Sequence, residues 1–257
     1  MKKNIFIENI NLSNYTTIRV GGVTEYFAEP HNTDEFINLI EWSCINNQKC
    51  RIIGAGSNLL INNTFLKGLT ICTKKMRALK IEPHSGFIEA EAGIMLPALA
   101  NLLAKNGLQG GEWAIGIPGT IGGAIFMNAG SDSLSLADNI LSVKVIDTKT
   151  LERFEIKKED IDFRYRFSPF QKNNLTILSV KLLFEPKGNI KKLIQTTKNN
   201  LKIKTERQPY NLPSFGSVFK NPPNHYAAKL IDESGLKGFK IGGAEISRMH
   251  SNFIVNN

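Results

Sequence analysis

The sequence predicts an α+β fold, and its length, its composition and the irregular order of its helix and strand patterns lead to that prediction. At 257 residues, 42% of them hydrophobic, the chain can fill a core and has the length at which single cores begin to divide into domains. Helical and strand-like segments are mixed without the strict alternation of a doubly wound sheet. We expect domain boundaries near residues 72 and 207.

The elements follow one another in this order. Thr33 is expected to cap a helix over residues 34–46, and a short strand over 51–53 follows it. Residues 87–92 alternate like a strand and precede a helix over 96–106 that Gly107 ends. Further strands are predicted over 143–147, 154–156 and 177–184.

A basic helix is predicted over residues 187–207, which contain seven Lys and Arg residues and one Glu. Its apolar face is formed by Ile190, Leu193, Ile194, Thr197 and Leu201. A solvated helix face explains the lysines most simply, and a positive field that attracts a small anionic ligand is the functional alternative. The net charge of +9 raises the question of nucleic acid, but no nucleic-acid module pattern is present, so we expect no such partner.

Other classes are excluded by missing patterns. The basic start is not followed by an apolar run, as a secretory signal would require, and the uncharged window 113–131 is interrupted by Pro118 and glycines, so no membrane span is expected. Three cysteines argue against a disulfide framework and favour a reduced cytoplasm. Neither the cysteines nor the four histidines have metal-ligand spacing, so no metal is expected.

Two glycine-rich loops, IIGAGSNLLI (52–61) and GIPGTIGGAIFMNAG (116–130), are the main candidates for a binding site. Glycine lets main-chain N–H groups approach an anion without a Cβ in the way. The first loop is neither a G-x-G-x-x-G fingerprint nor a P-loop, and each loop alone could be a structural turn. Because both carry amide or hydroxyl residues (Ser57, Asn58, Thr120, Asn128), together they favour a cofactor with a diphosphate and a polar ring system.

Two shorter stretches carry candidate catalytic residues. In FRYRFSPF (163–170), Arg164 and Arg166 would share one face of a strand, either as exposed arginines or as an anion site. In SFGSVFKNP (214–222), a turn presents Ser217 beside Lys220 and Asn221, and the serine is either a turn former or a reactive hydroxyl. No G-x-S-x-G elbow surrounds it, so a serine hydrolase is poorly supported.

Taken in order, these motifs resemble the UDP-N-acetylenolpyruvoylglucosamine reductase (MurB) family. The resemblance extends from TTIRVGG (16–22) through GAGSNLL, GIPGTIGGAIFMNAG, YRFSPF, ERQPYNLPSFGSVFKNP and AAKLIDESGLKGFKIGGAEIS to MHSNFIVNN. It implies an FAD-binding fold of the vanillyl-alcohol oxidase/PCMH type with two subdomains, 1–72 and 73–207, and a MurB-type α+β substrate domain over 208–257, here incomplete. A different oxidoreductase of this flavin fold is less expected, because it need not combine the YR-x-S and GS-x-F-K-N-P segments.

The resemblance also implies the chemistry. The family uses NADPH and FAD to reduce UDP-N-acetylglucosamine enolpyruvate to UDP-N-acetylmuramate in peptidoglycan precursor synthesis, which we would expect in the cytoplasm and from a monomer. The positions that match cofactor-binding segments are Arg19, Gly21, Gly22, Ile53, Gly54, Ala55, Gly56, Ser57, Asn58, Leu59, Gly116, Ile117, Pro118, Gly119, Thr120, Gly122, Gly123, Asn128 and Ala129.

Two positions inherit catalytic roles from the resemblance. Arg166 matches the arginine that holds the substrate carboxylate and the developing enolate, and Ser217 matches the serine that donates a proton to C2. Substrate contacts are implied for Tyr165, Arg207, Lys220 and Asn221. The spacing of about fifty residues between Arg166 and Ser217 is similar to that of the shorter family type, which lacks an inserted tyrosine-bearing loop.

One family feature has no counterpart in this sequence. Family members continue beyond the FIVN motif with an A-T-A-x-D helix and a late glutamate, and no residue here matches that glutamate. We therefore expect flavin binding to be retained, reductase turnover to be weak or absent, and apolar surface to be exposed within 236–247. The alternative function is a non-catalytic or impaired flavin- or UDP-sugar-binding remnant.

Overall fold

The computed structural model describes residues 6–131 and 134–257, which form two compact units. The first unit contains the described part of Met1–Ile10 together with Thr24–Ala55 and Lys67–Asn200. The second unit combines Asn11–Val23, Gly56–Leu66 and Leu201–Asn257. Each unit is therefore assembled from segments that are far apart in the sequence.

The described residues form mixed helices and strands, as the α+β prediction requires. The strands are β1 Ile7–Asn11, β2 Val23–Ala28, β3 Cys50–Ile53, β4 Leu66–Cys72, β5 Leu79–Glu82, β6 Phe87–Glu91, β7 Gly130–Ser131, β8 Leu134–Ser135, β9 Ile140–Asp147, β10 Arg153–Lys157, β11 Leu175–Leu183, β12 Ser214–Ser217, β13 Lys240–Ile241, β14 Ala244–Ile246 and β15 Phe253–Asn256. The helices are α1 Thr33–Ile45, α2 Leu96–Lys105, α3 Ile121–Phe126, α4 Ile190–Arg207 and α5 Ala227–Glu233.

Three larger sheets organise these strands. The first has the order β1-β2-β4-β3, with β3 parallel to β4. The second has the order β10-β9-β11-β6-β5, and every neighbouring pair in it is antiparallel. The third, in the second unit, has the order β12-β15-β14-β13. A β7-β8 pair adds a small ribbon directly after the second glycine loop.

The core of the first unit consists of two apolar clusters. One joins the antiparallel sheet to α2 and contains the buried residues Val143, Val180, Leu99 and Leu103. The other surrounds α1 and β4 and includes Phe36, Leu39, Ile40, Leu69 and Ile71. The helical spacing of the α1 and α2 residues produces these buried faces. Both glycine loops begin or end on elements that these clusters hold.

One detail of the helix predictions is wrong. The cap of α1 is Asn32, whose side chain accepts a hydrogen bond from Glu35 N (2.9 Å), because the Thr33 hydroxyl instead donates to the Glu91 carboxylate (2.9 Å). The expected apolar face of α4 is only partly buried. Leu193 and Thr197 are covered, whereas Ile190 and Leu201 are 46% and 37% exposed.

The apolar surface expected within 236–247 is exposed in the structure. Leu236, Phe239 and Ile241, within the predicted apolar region, are all exposed. In the part of the chain that the structure describes, no helix is both long and apolar enough to pass through a bilayer. The same residues contain no group of three or more His, Cys, Asp or Glu side chains arranged to hold a metal ion.

Candidate functional site

The two glycine loops, predicted separately from the sequence, meet within the first unit. Gly54 follows β3, and a Cβ at this position would overlap the Oγ1 atom of Thr120 in the second loop. Ile53 is held from the other side, where the Thr73 hydroxyl donates to its carbonyl (3.3 Å). Only a residue without a side chain lets the first loop approach the second this closely.

Main-chain hydrogen bonds attach the second loop to the end of β6. Ile121 N donates to Ile94 O (2.8 Å), and Gly122 N donates to Ala92 O (2.9 Å). A Cβ on Gly122 would lie 2.9 Å from the Cβ of Ala92, so close packing against Ala92 also requires glycine at this position. These contacts fix the loop on the antiparallel sheet.

Within the loop, Thr120 caps the short helix α3 by accepting a hydrogen bond from Gly123 N (3.3 Å). Gly123 is exposed, and a Cβ there would have only Thr120 Oγ1 nearby, at 3.5 Å. The loop therefore presents bare backbone at its surface while Thr120 is buried beneath it. Such a surface allows close approach by a ligand.

Asn128, after α3, is the most constrained residue of the loop. Its backbone is left-handed (φ 42°) and its side chain is buried. The side-chain Nδ2 donates to the carbonyl of Arg164 (2.9 Å), and Oδ1 has no hydrogen-bond partner among residues 6–131 and 134–257. A buried acceptor without a donor is rare in folded proteins and calls for a partner.

Arg166 is bound to the end of the same loop. Its Nη2 donates to Gly130 O (2.6 Å) and its Nη1 to Asn128 O (3.5 Å), while its guanidinium carbon lies 5.1 Å from the centroid of the Tyr165 ring. The side chain is half-buried. A guanidinium has five N–H donors, so two carbonyl bonds leave capacity for a carboxylate.

The prediction that Arg164 and Arg166 share a strand face is wrong. Arg164 and Phe167 instead exchange main-chain hydrogen bonds (3.1 and 3.0 Å), and Arg166 has a left-handed backbone (φ 53°), so the extended alternation fails. Arg164 is exposed and pairs with Asp162, whose pKa is held below its usual range by this hydrogen bond. Arg164 thus belongs to the surface and Arg166 to the candidate site.

Two further side chains, which the sequence analysis did not single out, join the arginine segment to the loop. The buried Ser168 hydroxyl and Gln171 Nε2 both donate to the carbonyl of Phe126, at 2.7 and 2.8 Å. Phe126 is the last residue of α3. Ser168 lies within the YRFSPF motif, but sequence alone did not indicate its partner.

In the second unit, the segment of Arg19, Gly21 and Gly22 packs against the continuation of the first loop. Arg19 is left-handed (φ 59°), and Gly22 N donates to Asn62 O (3.0 Å). A Cβ on Gly22 would overlap Thr64 O, and one on Gly56 (φ 67°) would overlap Tyr15 O. These glycines have close backbone neighbours that exclude any other residue type.

The serine turn of the second unit is held by a residue that the sequence analysis missed. Ser217 is exposed at the end of β12. Asn252, buried beside the turn, donates from Nδ2 to Phe219 O and accepts from Phe219 N, both at 2.9 Å. Asn252 lies in the MHSNFIVNN motif directly before β15, and no local pattern distinguishes it from the neighbouring polar residues.

The candidate substrate residues of this unit differ in their surroundings. Asn221 Oδ1 accepts from Ala227 N (3.0 Å) at the start of α5, so this side chain has a structural function. Lys220 is exposed beside it, and Arg207 is exposed at the end of α4. The predicted site residues of the second unit are Arg19, Gly21, Gly22, Gly56, Ser57, Asn58, Leu59, Arg207, Ser217, Lys220 and Asn221.

The remaining predicted residues belong to the first unit. They are Ile53, Gly54, Ala55, Gly116, Ile117, Pro118, Gly119, Thr120, Gly122, Gly123, Asn128, Ala129, Tyr165 and Arg166. The structure brings Gly54 to Thr120, and Asn128 to Arg166, by direct contact. The bare backbone at Gly123, with a buried acceptor left over on Asn128, fits a large polar cofactor such as FAD.

Comparison with known families agrees with this geometry. Residues 24–150 match the FAD binding domain model, and residues 208–257 match the model of the UDP-N-acetylenolpyruvoylglucosamine reductase C-terminal domain. The predicted α+β fold, with an FAD-binding part followed by a MurB-type domain, is confirmed.

Individual relatives extend the match over the whole chain. A UDP-N-acetylenolpyruvoylglucosamine reductase of Prochlorococcus marinus subsp. pastoris is 74% identical over 257 residues, which cover all of this chain and 87% of that protein. A reductase of the same name from another Prochlorococcus marinus strain is 47% identical over 247 residues, covering 96% of this chain and 80% of its own length.

Solved structures give the same result. The crystal structure of UDP-N-acetylenolpyruvylglucosamine reductase (MurB) from Thermus caldophilus has a TM-score of 0.80 and 31% identity, and the match covers 98% of this chain and 88% of that one. A Phl p 4 variant, a glucose oxidase, shares the fold alone, with a TM-score of 0.54 and 14% identity over 72% of this chain and 42% of that one. The chain belongs to the UDP-N-acetylenolpyruvoylglucosamine reductase family.

Proposed function

We propose that this chain is a UDP-N-acetylmuramate dehydrogenase, which uses NADPH and FAD to reduce UDP-N-acetylglucosamine enolpyruvate to UDP-N-acetylmuramate. The observation that carries the proposal is the bonding of Arg166 to the carbonyl groups of Asn128 and Gly130. The residue expected to hold the substrate carboxylate is thereby attached to the loop expected to hold the cofactor.

Arg166 has the properties that the reaction needs. FAD, when bound, supplies the hydride chemistry that links NADPH to the enolpyruvyl double bond. Addition of hydride at C3 leaves negative charge at C2 and the adjacent carboxylate, and this charge must be stabilised. A half-buried guanidinium, already oriented by two carbonyl groups, offers its other N–H groups to that carboxylate at little reorganisation cost.

Ser217 is proposed to deliver the proton to C2. A serine hydroxyl is a weak acid, so its use as a proton donor depends on position and on nearby positive charge. It follows Gly216, whose left-handed backbone (φ 80°) shapes the strand end, and Lys220 lies three residues further on. We propose that Lys220 and Arg207 engage the UDP diphosphate, with Tyr165 and Asn221 as further substrate contacts.

The organisation and setting of the enzyme are part of the same proposal. Residues 1–72 and 73–207 would form the two FAD-binding subdomains, and 208–257 the substrate-binding domain. We expect a monomer that acts in the cytoplasm, as a step of cell-wall biogenesis on which cell shape and division depend. Light scattering of the purified protein and fractionation of cells test these two expectations.

The alternative of a non-catalytic or impaired remnant is not favoured. The 74% identical relative, which carries the reductase name, aligns with every residue of this chain. An active reductase therefore explains the resemblance better than a binding remnant does. We accordingly expect turnover, in place of the weak or absent turnover that the unmatched glutamate suggested.

The test is an anaerobic visible spectrum of the purified, FAD-loaded chain. NADPH is expected to bleach the flavin absorbance, and UDP-N-acetylglucosamine enolpyruvate is expected to restore it. A protein that bleaches and then keeps its bleached spectrum in the presence of substrate would contradict the proposed reductase. A protein that takes up no FAD would contradict the cofactor assignment.

A serine variant separates the two half-reactions. Ser217→Ala is expected to bleach with NADPH at the normal rate but to regain colour with substrate at least about a hundredfold more slowly, the usual range for loss of a proton donor. Ser234→Ala removes a hydroxyl from the same unit, where it donates to Leu230 O (2.8 Å), and serves as the matched control. Equal reoxidation rates in the two variants would exclude Ser217 as the donor.

A further inference from the structure

The end of the second glycine loop and the arginine segment are joined by a set of side-chain hydrogen bonds. Asn128 donates to Arg164 O, and Arg166 donates to the carbonyls of Asn128 and Gly130. Ser168 and Gln171 bind Phe126 O at the other end. These hydrogen bonds connect the loop end and the arginine segment, whose bonded residues lie 36 to 45 positions apart in the sequence.

Asn128 is the centre of this set. It supplies a side-chain donor to the arginine segment and a main-chain acceptor to Arg166. Both Asn128 and Arg166 have left-handed backbones, at φ 42° and 53°. Residues other than glycine seldom hold this conformation, and they do so where surrounding bonds enforce it. The hydrogen bonds between them fix the position of the Arg166 guanidinium relative to the loop.

The orientation of the Asn128 amide is fixed by its partner. A carbonyl can only accept, so the atom 2.9 Å from Arg164 O must be the NH₂ group. The opposite atom is then the oxygen, which is buried and has no donor within the described residues. This leftover acceptor is the second observation, independent of the first, that points to a ligand.

We propose that Asn128 is a positioning residue that couples the flavin to Arg166. Its Oδ1 accepts a hydrogen bond from an N–H or O–H group of the bound cofactor, while its Nδ2 and its carbonyl hold the arginine segment. The inference rests on the proposed function and adds to it that cofactor binding and placement of the substrate arginine share one side chain. Asn128 itself touches no reacting atom.

The expected effects follow from the bonds lost. Asn128→Gly keeps the left-handed backbone and the carbonyl that Arg166 uses, and it removes both side-chain interactions. Loss of one net hydrogen bond corresponds to about tenfold in affinity. We therefore expect about tenfold weaker FAD binding and about tenfold weaker substrate binding.

Asn47→Gly is the matched control. Asn47 is also left-handed (φ 50°) and belongs to the same unit, but its side chain is exposed. The substitution makes the same change of residue type in the same backbone conformation. Thermal unfolding of both variants shows whether either change affects the fold as a whole.

The measurements do not require turnover. Apoprotein prepared by removal of FAD is titrated with FAD by fluorescence quenching, and oxidised FAD-loaded protein is titrated with UDP-N-acetylglucosamine enolpyruvate by calorimetry, without NADPH. Asn128→Gly is expected to weaken both affinities about tenfold, and Asn47→Gly neither. An unchanged FAD affinity, or an unchanged substrate affinity, in Asn128→Gly would overturn the coupling.

A double-mutant cycle identifies the route of the effect. If Asn128 acts on substrate through Arg166, Asn128→Gly should weaken substrate binding about tenfold in the natural chain and less than about twofold in the Arg166→Ala background. The loss of FAD affinity should be the same in both backgrounds. A tenfold loss of substrate affinity in both backgrounds would overturn the positioning role.

A second variant covers the case in which Asn128→Gly does not fold. Asn128→Asp tolerates the left-handed backbone and keeps an oxygen acceptor, but its carboxylate cannot donate to Arg164 O. Substrate affinity should fall while FAD affinity falls less, and unchanged substrate affinity would overturn the proposal. Failure of the natural chain to bleach and recover would instead reject the proposed reductase function, which these binding titrations do not measure.

Discussion

Replacement of Asn252 by alanine tests whether the serine turn depends on a single buried amide. The Asn252 side chain makes two hydrogen bonds to the main chain of Phe219, one from Nδ2 to the carbonyl and one to Oδ1 from the N–H. At about 1 kcal/mol of net stability each, their loss is expected to lower the free energy of unfolding by about 2 kcal/mol. For a chain of this size that corresponds to a fall in Tm of about 4–8 °C.

The functional effect of Asn252→Ala should be confined to the substrate half-reaction. A loosened turn displaces Ser217, and misplacement of a proton donor costs far more rate than stability. We expect NADPH to bleach the flavin at the normal rate, because the loops of the first unit keep their bonds, and substrate to restore colour about tenfold or more slowly.

The assay is anaerobic stopped-flow absorbance of both half-reactions, together with calorimetric unfolding. Asn211→Ala removes an exposed amide from the same unit and is the control. If Asn252→Ala matched this control in Tm and in reoxidation rate, the pairing with Phe219 would not hold the turn. Equal slowing of both half-reactions would refute the assignment of the effect to the second unit.

Three further predictions concern other positions. Gly123→Ala should leave the apoprotein at least as stable, because a Cβ there would have one neighbour, at 3.5 Å, and alanine favours a helix. It should nevertheless weaken FAD binding in a fluorescence titration, and an unchanged FAD affinity would contradict a contact between this backbone and the cofactor. Burial raises the pKa of Cys50 to about 11, so iodoacetamide at pH 8.5 should modify the exposed Cys44 well before Cys50. Mass spectrometry measures the two rates of modification, and equal rates would contradict the protection of Cys50. Burial lowers the pKa of His250 below 6.5, so the unfolded chain binds the proton first and the free energy of unfolding should fall as pH drops below about 6.5. Urea unfolding at pH 7.5 and 5.5 should show a smaller fall in this free energy for His250→Gln than for the natural chain, and an equal fall would assign the effect to other groups.

Local patterns were sufficient for most of the fold. The buried faces of α1 and α2 follow from helical spacing, and the strand over 177–184 follows from an apolar segment that only Ser179 and Lys181 interrupt. The cap of α1 was displaced by one residue because Glu91, far away in the sequence, binds the Thr33 hydroxyl. A local rule has no access to such a competing partner.

In the candidate site too, local patterns located some residues, whereas contacts with distant segments determined others. Glycine content located both loops, and the family motifs located Arg166 and Ser217. The strand interpretation of the arginine segment failed because residues 164–167 form a tight turn, in which Arg164 and Phe167 exchange main-chain hydrogen bonds and Arg166 has a left-handed backbone. Gln171 and Asn252 were missed for a related reason, since each acts on the main chain of a distant segment and an amide side chain has no distinctive pattern of its own.

The interleaved assembly of the second unit has a consequence for synthesis of the chain. The Thr17 hydroxyl donates to Ser214 O across 197 positions, and Asn256 donates to Ile18 O across 238 positions. Because the ribosome adds about 5–20 residues per second, these partners are synthesised on the order of ten to fifty seconds after the early segment. Until then Thr17 and Ile18 lack the hydrogen bonds that join this segment to β12 and β15. During that interval the early segment is accessible to a nascent-chain chaperone.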